Sequence, residues 1–236
     1  MSRRVVGNPV ITIIDGISLG IGFYGIYTNI MTVELPEYFA DAGHWQFLTN
    51  LSLVYSLFVF AIGFIAHVFH SEVLFNVKNN LHPIALALET IVAIIYWPLR
   101  LFFLNLLTSD PSSFKIGWLT DLSIHLMPVV SLLVDYLVFM PKWTIKTSSA
   151  LGLVIFLTSM YWYLLKTLID IEKGAKYPYA FLEVDTEFER GVIFGIVATI
   201  AFSQFIFLRN VYDFLVKTTE AIDMEIDNSL DMKKSL

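Results

Sequence analysis

The chain has 236 residues, of which 56% are hydrophobic and 15% charged, with no cysteine and a formal net charge of −6 at pH 7. The missing cysteines exclude disulfides, cysteine-ligated zinc, iron–sulfur clusters and cysteine nucleophiles, and an acidic chain without a clustered basic face is not expected to bind nucleic acid. Soluble domains carry about a quarter charged residues, so this composition predicts a protein whose solvent is lipid.

Six stretches are long and apolar enough to cross a membrane, which takes roughly 20 residues. The predicted fold class is therefore all-α, an integral membrane bundle of about six transmembrane helices in contact with membrane lipids. It comprises an N-terminus (1–8), a transmembrane domain (9–214) and a polar tail (215–236). In chain order the predicted helices are about Pro9–Val33, Trp45–His70, Pro83–Leu107, Trp118–Met140, Ser148–Ile169 and Gly191–Phe214.

Lysine and arginine outside the predicted spans indicate the orientation, because cytoplasmic loops carry an excess of both. Nine fall on the side of the termini and four on the other side. Both termini, and the tail with them, are therefore expected to be cytoplasmic. The nine are Arg3, Arg4, Lys78, Lys142, Lys146, Arg209, Lys217, Lys233 and Lys234; the four are Lys115, Lys173, Lys176 and Arg190.

Polar residues inside the spans are the first functional candidates, because a charged group in the bilayer needs a partner or water. At a rise of about 1.5 Å per residue, one set falls in the half of the bilayer that lies away from the termini. We expect this set to line one pocket. Its members are Thr49, Asn50, Arg100, Asp121 and His125. An ion pair of Arg100 with Asp121 is also consistent with a purely structural role.

Asp121 and His125 are four residues apart and so share a helix face. A carboxylate beside a histidine can fix its tautomer and raise its basicity, as in hydrolytic triads. Pro128 is expected to kink this helix and to free a backbone carbonyl. The alternative is a histidine that only hydrogen-bonds between helices.

Thr49 alone is weak evidence for a site, because the hydroxyl of a threonine in a membrane helix usually bonds to the backbone carbonyl one turn back. As a nucleophile it would need a base within about 3 Å. His125 is the histidine that the spacing places deepest in the same half of the membrane.

A second histidine group lies near the opposite predicted face. His67 and His70 are one turn apart and could bind a metal together with His82 or Glu89. Membrane di-iron oxidases need several histidine boxes, however, and the sequence has a single His-x-x-His. No metal site and no cofactor is therefore predicted.

Residues 42–49 read Ala-Gly-His-Trp-Gln-Phe-Leu-Thr. This segment resembles the Gly-x-Trp-x-aromatic-Leu-Thr motif of the androgen-induced-gene and androgen-dependent TFPI-regulating protein family. Further landmarks are the histidine-containing fourth span, the Ser148–Gly152 segment and the Tyr177–Glu183 segment, so that the resemblance runs from Thr28 to Tyr212.

Members of that family are multipass threonine hydrolases that cleave fatty acid esters of hydroxy fatty acids. The resemblance implies a lipid-ester substrate, an endoplasmic reticulum membrane, Thr49 as nucleophile and His125 as general base. In supporting roles, we expect Asp121 to orient His125, Arg100 to neutralise Asp121 and Asn50 to donate to the oxyanion.

The sequence also departs from the family pattern. Asn50 stands where an aromatic residue commonly follows the threonine, and Pro128 comes early after the histidine. These differences indicate a distant, fungal-type member.

The alternative function is non-catalytic. The same polar residues would then form a network in a transporter, a scramblase or a sterol-binding protein of the membrane. A shared cavity beside Thr49 and His125 favours hydrolysis, whereas an open path between the two membrane faces favours transport.

Overall fold

The computed structural model describes residues 4–108, 110–111 and 116–234, with side chains for all of these except 217 and 220–234. Within these ranges there is no β-strand, and six helices are long and apolar enough to cross a membrane. The prediction of an all-α membrane protein with six spans is therefore confirmed. Which way the termini face stays a prediction. Some of the lysines and arginines on which this orientation prediction rests lie outside the described part of the chain. They are Arg3, Lys115 and the side chains of Lys217, Lys233 and Lys234.

We number the six spanning helices α1 to α6 in chain order. The last one continues as a helix well beyond its membrane-crossing part, Glu187–Val216. The helices are α1 (Pro9–Thr32), α2 (Leu48–Val68), α3 (Glu72–Phe102), α4 (Trp118–Phe139), α5 (Thr147–Leu168) and α6 (Glu187–Lys234).

Helices α2 and α4 form the centre of the bundle. Half of the apolar stretch of each is buried, compared with 11% for α5. Helix α2 packs between α1 and α3, and α4 contacts all three of them. Helix α5 pairs with α6, which joins the bundle through α3 and the last turn of α4. Polar side chains can therefore meet inside the body formed by α1 to α4.

One end of the bundle carries the connections 33–47 and 169–186, and we call it the loop end. Helices α1, α3 and α5 finish there, and α2, α4 and α6 begin there. The two connections contact each other, because the Lys176 N–H donates to the carbonyl of Tyr38 at 3.2 Å. Short helical turns at 37–39 and 43–46 lead the chain into α2.

Helix α3 begins at Glu72 and not at the predicted Pro83. Ser71 caps it by accepting a hydrogen bond from the backbone N–H of Leu74. Hydropathy made the first three turns look like a loop because they contain several asparagines and Lys78. That lysine is only 1% exposed, however, and is paired with Asp135.

Helix α4 is interrupted after its first eight residues. Its first part ends at His125, Leu126 has φ −120° and ψ −48°, and a new helical stretch begins at Met127. Pro128 has no N–H and so disrupts the hydrogen-bond ladder here. The carbonyl of His125 accepts a hydrogen bond from the Trp97 indole at 3.2 Å. The predicted kink is thus confirmed. The carbonyl that lacks its helical donor because of Pro128 is that of Ile124, four residues earlier.

Candidate active site

Asp121 and His125 meet as their spacing predicts. The Nδ1 atom of His125 lies 2.8 Å from Oδ1 of Asp121, and both side chains are buried. A carboxylate can only accept hydrogen bonds, so this contact places the ring proton on Nδ1. The Nε2 atom is then the basic nitrogen of the ring.

Tyr96 of α3 holds the same pair from the other side. Its hydroxyl donates to Oδ1 of Asp121 at 2.5 Å, and its ring stacks on the imidazole of His125 with centroids 3.4 Å apart. The sequence reasoning missed this residue because it searched the spans for ionisable groups only. The four-residue spacing of Tyr96 and Arg100, which repeats that of Asp121 and His125, is the signal that could have found it.

Arg100 lies where the sequence reasoning expected it, next to Asp121. Its Nε atom is 3.4 Å from Oδ2 of Asp121, and its side chain is 20% exposed. The guanidinium also lies over the Trp118 ring. The carboxylate therefore has a cation on one oxygen and two hydrogen-bond donors on the other.

Thr49 lies in the first turn of α2. Phe47, which precedes this helix, has an extended backbone. The Thr49 hydroxyl lies close to the hydroxyl of Tyr179 in the last connection. The N–H of Leu48 donates to the same Tyr179 oxygen at 3.1 Å. Because this contact spans 131 residues of sequence, no local pattern could have shown it.

Asn50 is fixed by two short hydrogen bonds. Its Oδ1 accepts from the Asn29 amide at 2.7 Å, and its Nδ2 donates to the carbonyl of His44 at 2.7 Å. An amide nitrogen carries two hydrogens, so one donor remains for a further acceptor.

A cavity opens among these residues at the loop end. Thr49 and His125 both line it, together with Asn50, Tyr96 and Tyr179. The structure therefore brings the candidate nucleophile, base and amide to one cavity. The expectation that all five residues line one pocket is wrong for Asp121 and Arg100, which are not among the lining residues described. Asp121 contacts His125, and Arg100 contacts Asp121.

Burial determines the protonation of two groups at this cavity that lie outside the spans. It raises the pKa of the Tyr179 hydroxyl, which therefore stays neutral and able to donate a hydrogen bond. It lowers the pKa of His44, which favours a neutral ring.

Comparison with known proteins identifies the family. Residues 11–213 match the model of the FAR-17a/AIG1-like proteins. The chain belongs to the FAR-17a/AIG1-like family. It is 31% identical over 196 residues to a UPF0641 membrane protein of Saccharomyces cerevisiae, covering 77% of this chain and 82% of that protein. No solved structure matches it.

A second relative supports the same assignment. The chain is 30% identical over 171 residues to a UPF0641 membrane protein of Schizosaccharomyces pombe, covering 72% of this chain and 76% of the relative. The predicted family and its fungal-type character are therefore confirmed. This FAR-17a/AIG1-like chain is a multipass membrane protein.

The FAR-17a/AIG1-like chain has a second buried polar cluster, at the end away from the loops. Lys78 pairs there with Asp135, and Nε2 of His82 lies 3.4 Å from the same carboxylate. Asp15 approaches so closely that a Cβ atom added at Gly63 would lie 2.6 Å from its Oδ2 and 3.5 Å from Cε of Lys78. This arrangement requires glycine at 63.

The three histidines considered for a metal have separate roles in this FAR-17a/AIG1-like protein. Nδ1 of His67 accepts a hydrogen bond from the N–H of Gly7 at 3.0 Å, and His70 packs against the same glycine. Glu89 hydrogen-bonds with Ser56 at 2.8 Å. Among the residues that the structure describes, no three histidine or carboxylate side chains group into a metal site.

Proposed function

We propose that this protein is an intramembrane lipid-ester hydrolase in which Thr49 is the nucleophile and His125 the general base. The observation that carries the proposal is the single cavity lined by both residues, with Asp121 bonded to Nδ1 of His125 behind it. A hydroxyl is almost fully protonated at neutral pH, so it needs such a base to attack an ester.

In the first half-reaction, Oγ1 of Thr49 attacks the ester carbonyl carbon while Nε2 of His125 takes the hydroxyl proton. The tetrahedral intermediate collapses, the C–O bond to the alcohol breaks, and His125 returns the proton to the leaving alcohol oxygen. An acyl-threonine remains. Water then attacks this acyl group with His125 again as base, and the fatty acid leaves as the proton returns to Thr49.

Two groups are placed to stabilise the negative oxygen of each intermediate. Asn50, which has one N–H left to donate, and Tyr179, whose hydroxyl is neutral, both line the cavity beside Thr49. Donors fixed before the reaction stabilise a developing oxyanion more than water does, because they need no reorganisation. Asp121 and Arg100 act through His125, as positioning residues.

The substrates we propose are fatty acid esters of hydroxy fatty acids. Their ester bond lies in mid-chain, and the cavity at the loop end is lined both by residues of the transmembrane helices and by residues of the connections. The resemblance to threonine hydrolases supports the same class and the endoplasmic reticulum membrane. Co-localisation of a tagged chain with an organelle marker tests the location.

The test is release of free fatty acid from such an ester by the protein purified in detergent. Thr49→Val and His125→Ala are each expected to lower kcat by several orders of magnitude, as in units that act together. There are two matched controls. One is Thr90→Val, because the hydroxyl of Thr90 in α3 donates to the Leu86 carbonyl. The other is His70→Ala, at the end of the bundle opposite the loop end. Both are expected to keep wild-type turnover.

Unchanged turnover in Thr49→Val or His125→Ala, in protein of normal stability and monodispersity, would refute the assignment of the pair. A wild-type protein that hydrolyses no lipid ester would refute the function itself. Lipid movement across vesicles that contain the protein would then favour the transport alternative.

A further inference from the structure

A second cavity also reaches Thr49. Its walls come from α3, α5, α6 and the Phe181–Leu182 segment. Four residues line both cavities: Thr49, Tyr96, Leu107 and Tyr179. The candidate nucleophile therefore lies where two separate spaces meet.

The two cavities differ in chemistry. The one that contains His125 is also lined by Asn29, Glu34, His44 and Asn50. The second has aliphatic and aromatic walls, with no histidine, acidic or basic side chain among its described lining residues. Such a space favours a hydrocarbon chain, because the chain gives up no hydrogen bonds when it enters from water or lipid.

The position of His125 determines which arm of the ester enters each cavity. The base must return its proton to the alcohol oxygen as that oxygen leaves. The alcohol arm therefore has to lie on the side of His125, in the first cavity. The carbonyl carbon is bonded to Thr49 at this moment, so the acyl chain extends the other way.

We propose that the second cavity is the acyl-chain pocket, and that the α6 residues in its wall set the longest acyl chain the enzyme accepts. This inference rests on the proposed hydrolase function. Val197 and Phe194 are the wall residues that test it, because they lie on a helix that contributes nothing to the first cavity among its described lining residues.

The experiment measures kcat/KM along two series of esters. In one, the acyl chain grows from butyryl to palmitoyl on a fixed alcohol; in the other, the alcohol grows on a fixed laurate. For wild type, kcat/KM is expected to rise with each added acyl methylene until the pocket is full. The rise is about fourfold per methylene for esters taken up from water and smaller for esters taken up from detergent or lipid, whose hydrocarbon is already apolar.

Val197→Trp is expected to stop this rise at a shorter acyl chain and to leave the alcohol series unchanged. Phe194→Leu enlarges the pocket and is expected to move the limit to longer chains. The matched control is Val192→Trp on the same helix, a position that is 46% exposed and is not among the described lining residues of either cavity. It should reproduce wild type in both series.

An altered alcohol series with an unchanged acyl series would overturn the inference, because it would mean that the arms lie the other way round. Unchanged profiles in both variants, with hydrolysis still dependent on Thr49, would show that the cavity takes no part in substrate binding. The proposed function would survive that result. It would fail, together with the pocket assignment, only if wild type cleaved no member of either series.

Discussion

Replacing Asp121 by asparagine tests the candidate site most directly. In wild type, Oδ1 accepts hydrogen bonds from Nδ1 of His125 and from the Tyr96 hydroxyl, while Oδ2 faces Nε of Arg100 at 3.4 Å. All three partners are donors to a group that can only accept. The ring proton is thereby held on Nδ1, and Nε2 is free to take the proton of Thr49.

An asparagine cannot satisfy all three donors. The Arg100 guanidinium is always charged and needs an oxygen in front of it, so the amide turns its NH2 group towards His125. The imidazole must then accept at Nδ1 and carry its proton on Nε2, which is the wrong tautomer for a base. We expect kcat to fall by about 10²–10⁴, which corresponds to about 3–5 kcal/mol.

The assay is steady-state hydrolysis of a lipid ester by purified wild type and Asp121→Asn. KM should change little, because Asp121 contacts the base and is not among the described residues that line the cavity. The control is Asp15→Asn, a buried aspartate of the other polar cluster, for which kcat should stay at the wild-type value. The proposed role of Asp121 would be refuted if kcat for Asp121→Asn stayed within about threefold of wild type while His125→Ala lost its activity.

Three further changes have expected outcomes. Tyr179→Phe removes the hydroxyl beside Thr49 and should lower kcat by about 10²-fold; in wild type, burial raises the pKa of Tyr179, so ionisation of this group should cause no loss of kcat up to about pH 10. Lys78→Met leaves Asp135 buried without its cation and should destabilise the protein by about 3–5 kcal/mol. The melting temperature in detergent should fall, and adding Asp135→Asn should restore it in part. Glu34→Gln removes the acidic group that lines the first cavity and should lower KM about twofold for a free-acid substrate, with no change for its methyl ester.

The sequence was sufficient for the number of spans and for the Asp121–His125 contact, because both depend on local spacing. It failed at the start of α3, where Lys78 looked like a loop residue. That lysine is tolerated inside the bundle because Asp135 of α4 pairs with it. A hydropathy window averages neighbouring residues only, so it cannot show a partner 57 residues away.

Tyr96 and Tyr179 escaped the sequence reasoning for a different reason. A tyrosine in or near a span counts as an apolar ring or an interfacial anchor, and its hydroxyl is ignored. In the structure these two hydroxyls contact Asp121 and Thr49 respectively. A search restricted to charged groups therefore predicts the base and its carboxylate, and misses the neutral groups that hold the site in position.

The location of the candidate site follows from where the helices begin and break. The first N–H groups of a helix have no partner within it, and at the start of α2 the Leu48 N–H bonds to Tyr179. At the break before Pro128, the carbonyl of His125 accepts a hydrogen bond from Trp97. The helix start and the break therefore supply backbone groups that tie distant segments together beside one cavity. In the regular part of a helix the backbone groups bond to one another, so a threonine and a histidine placed there would lack such anchors.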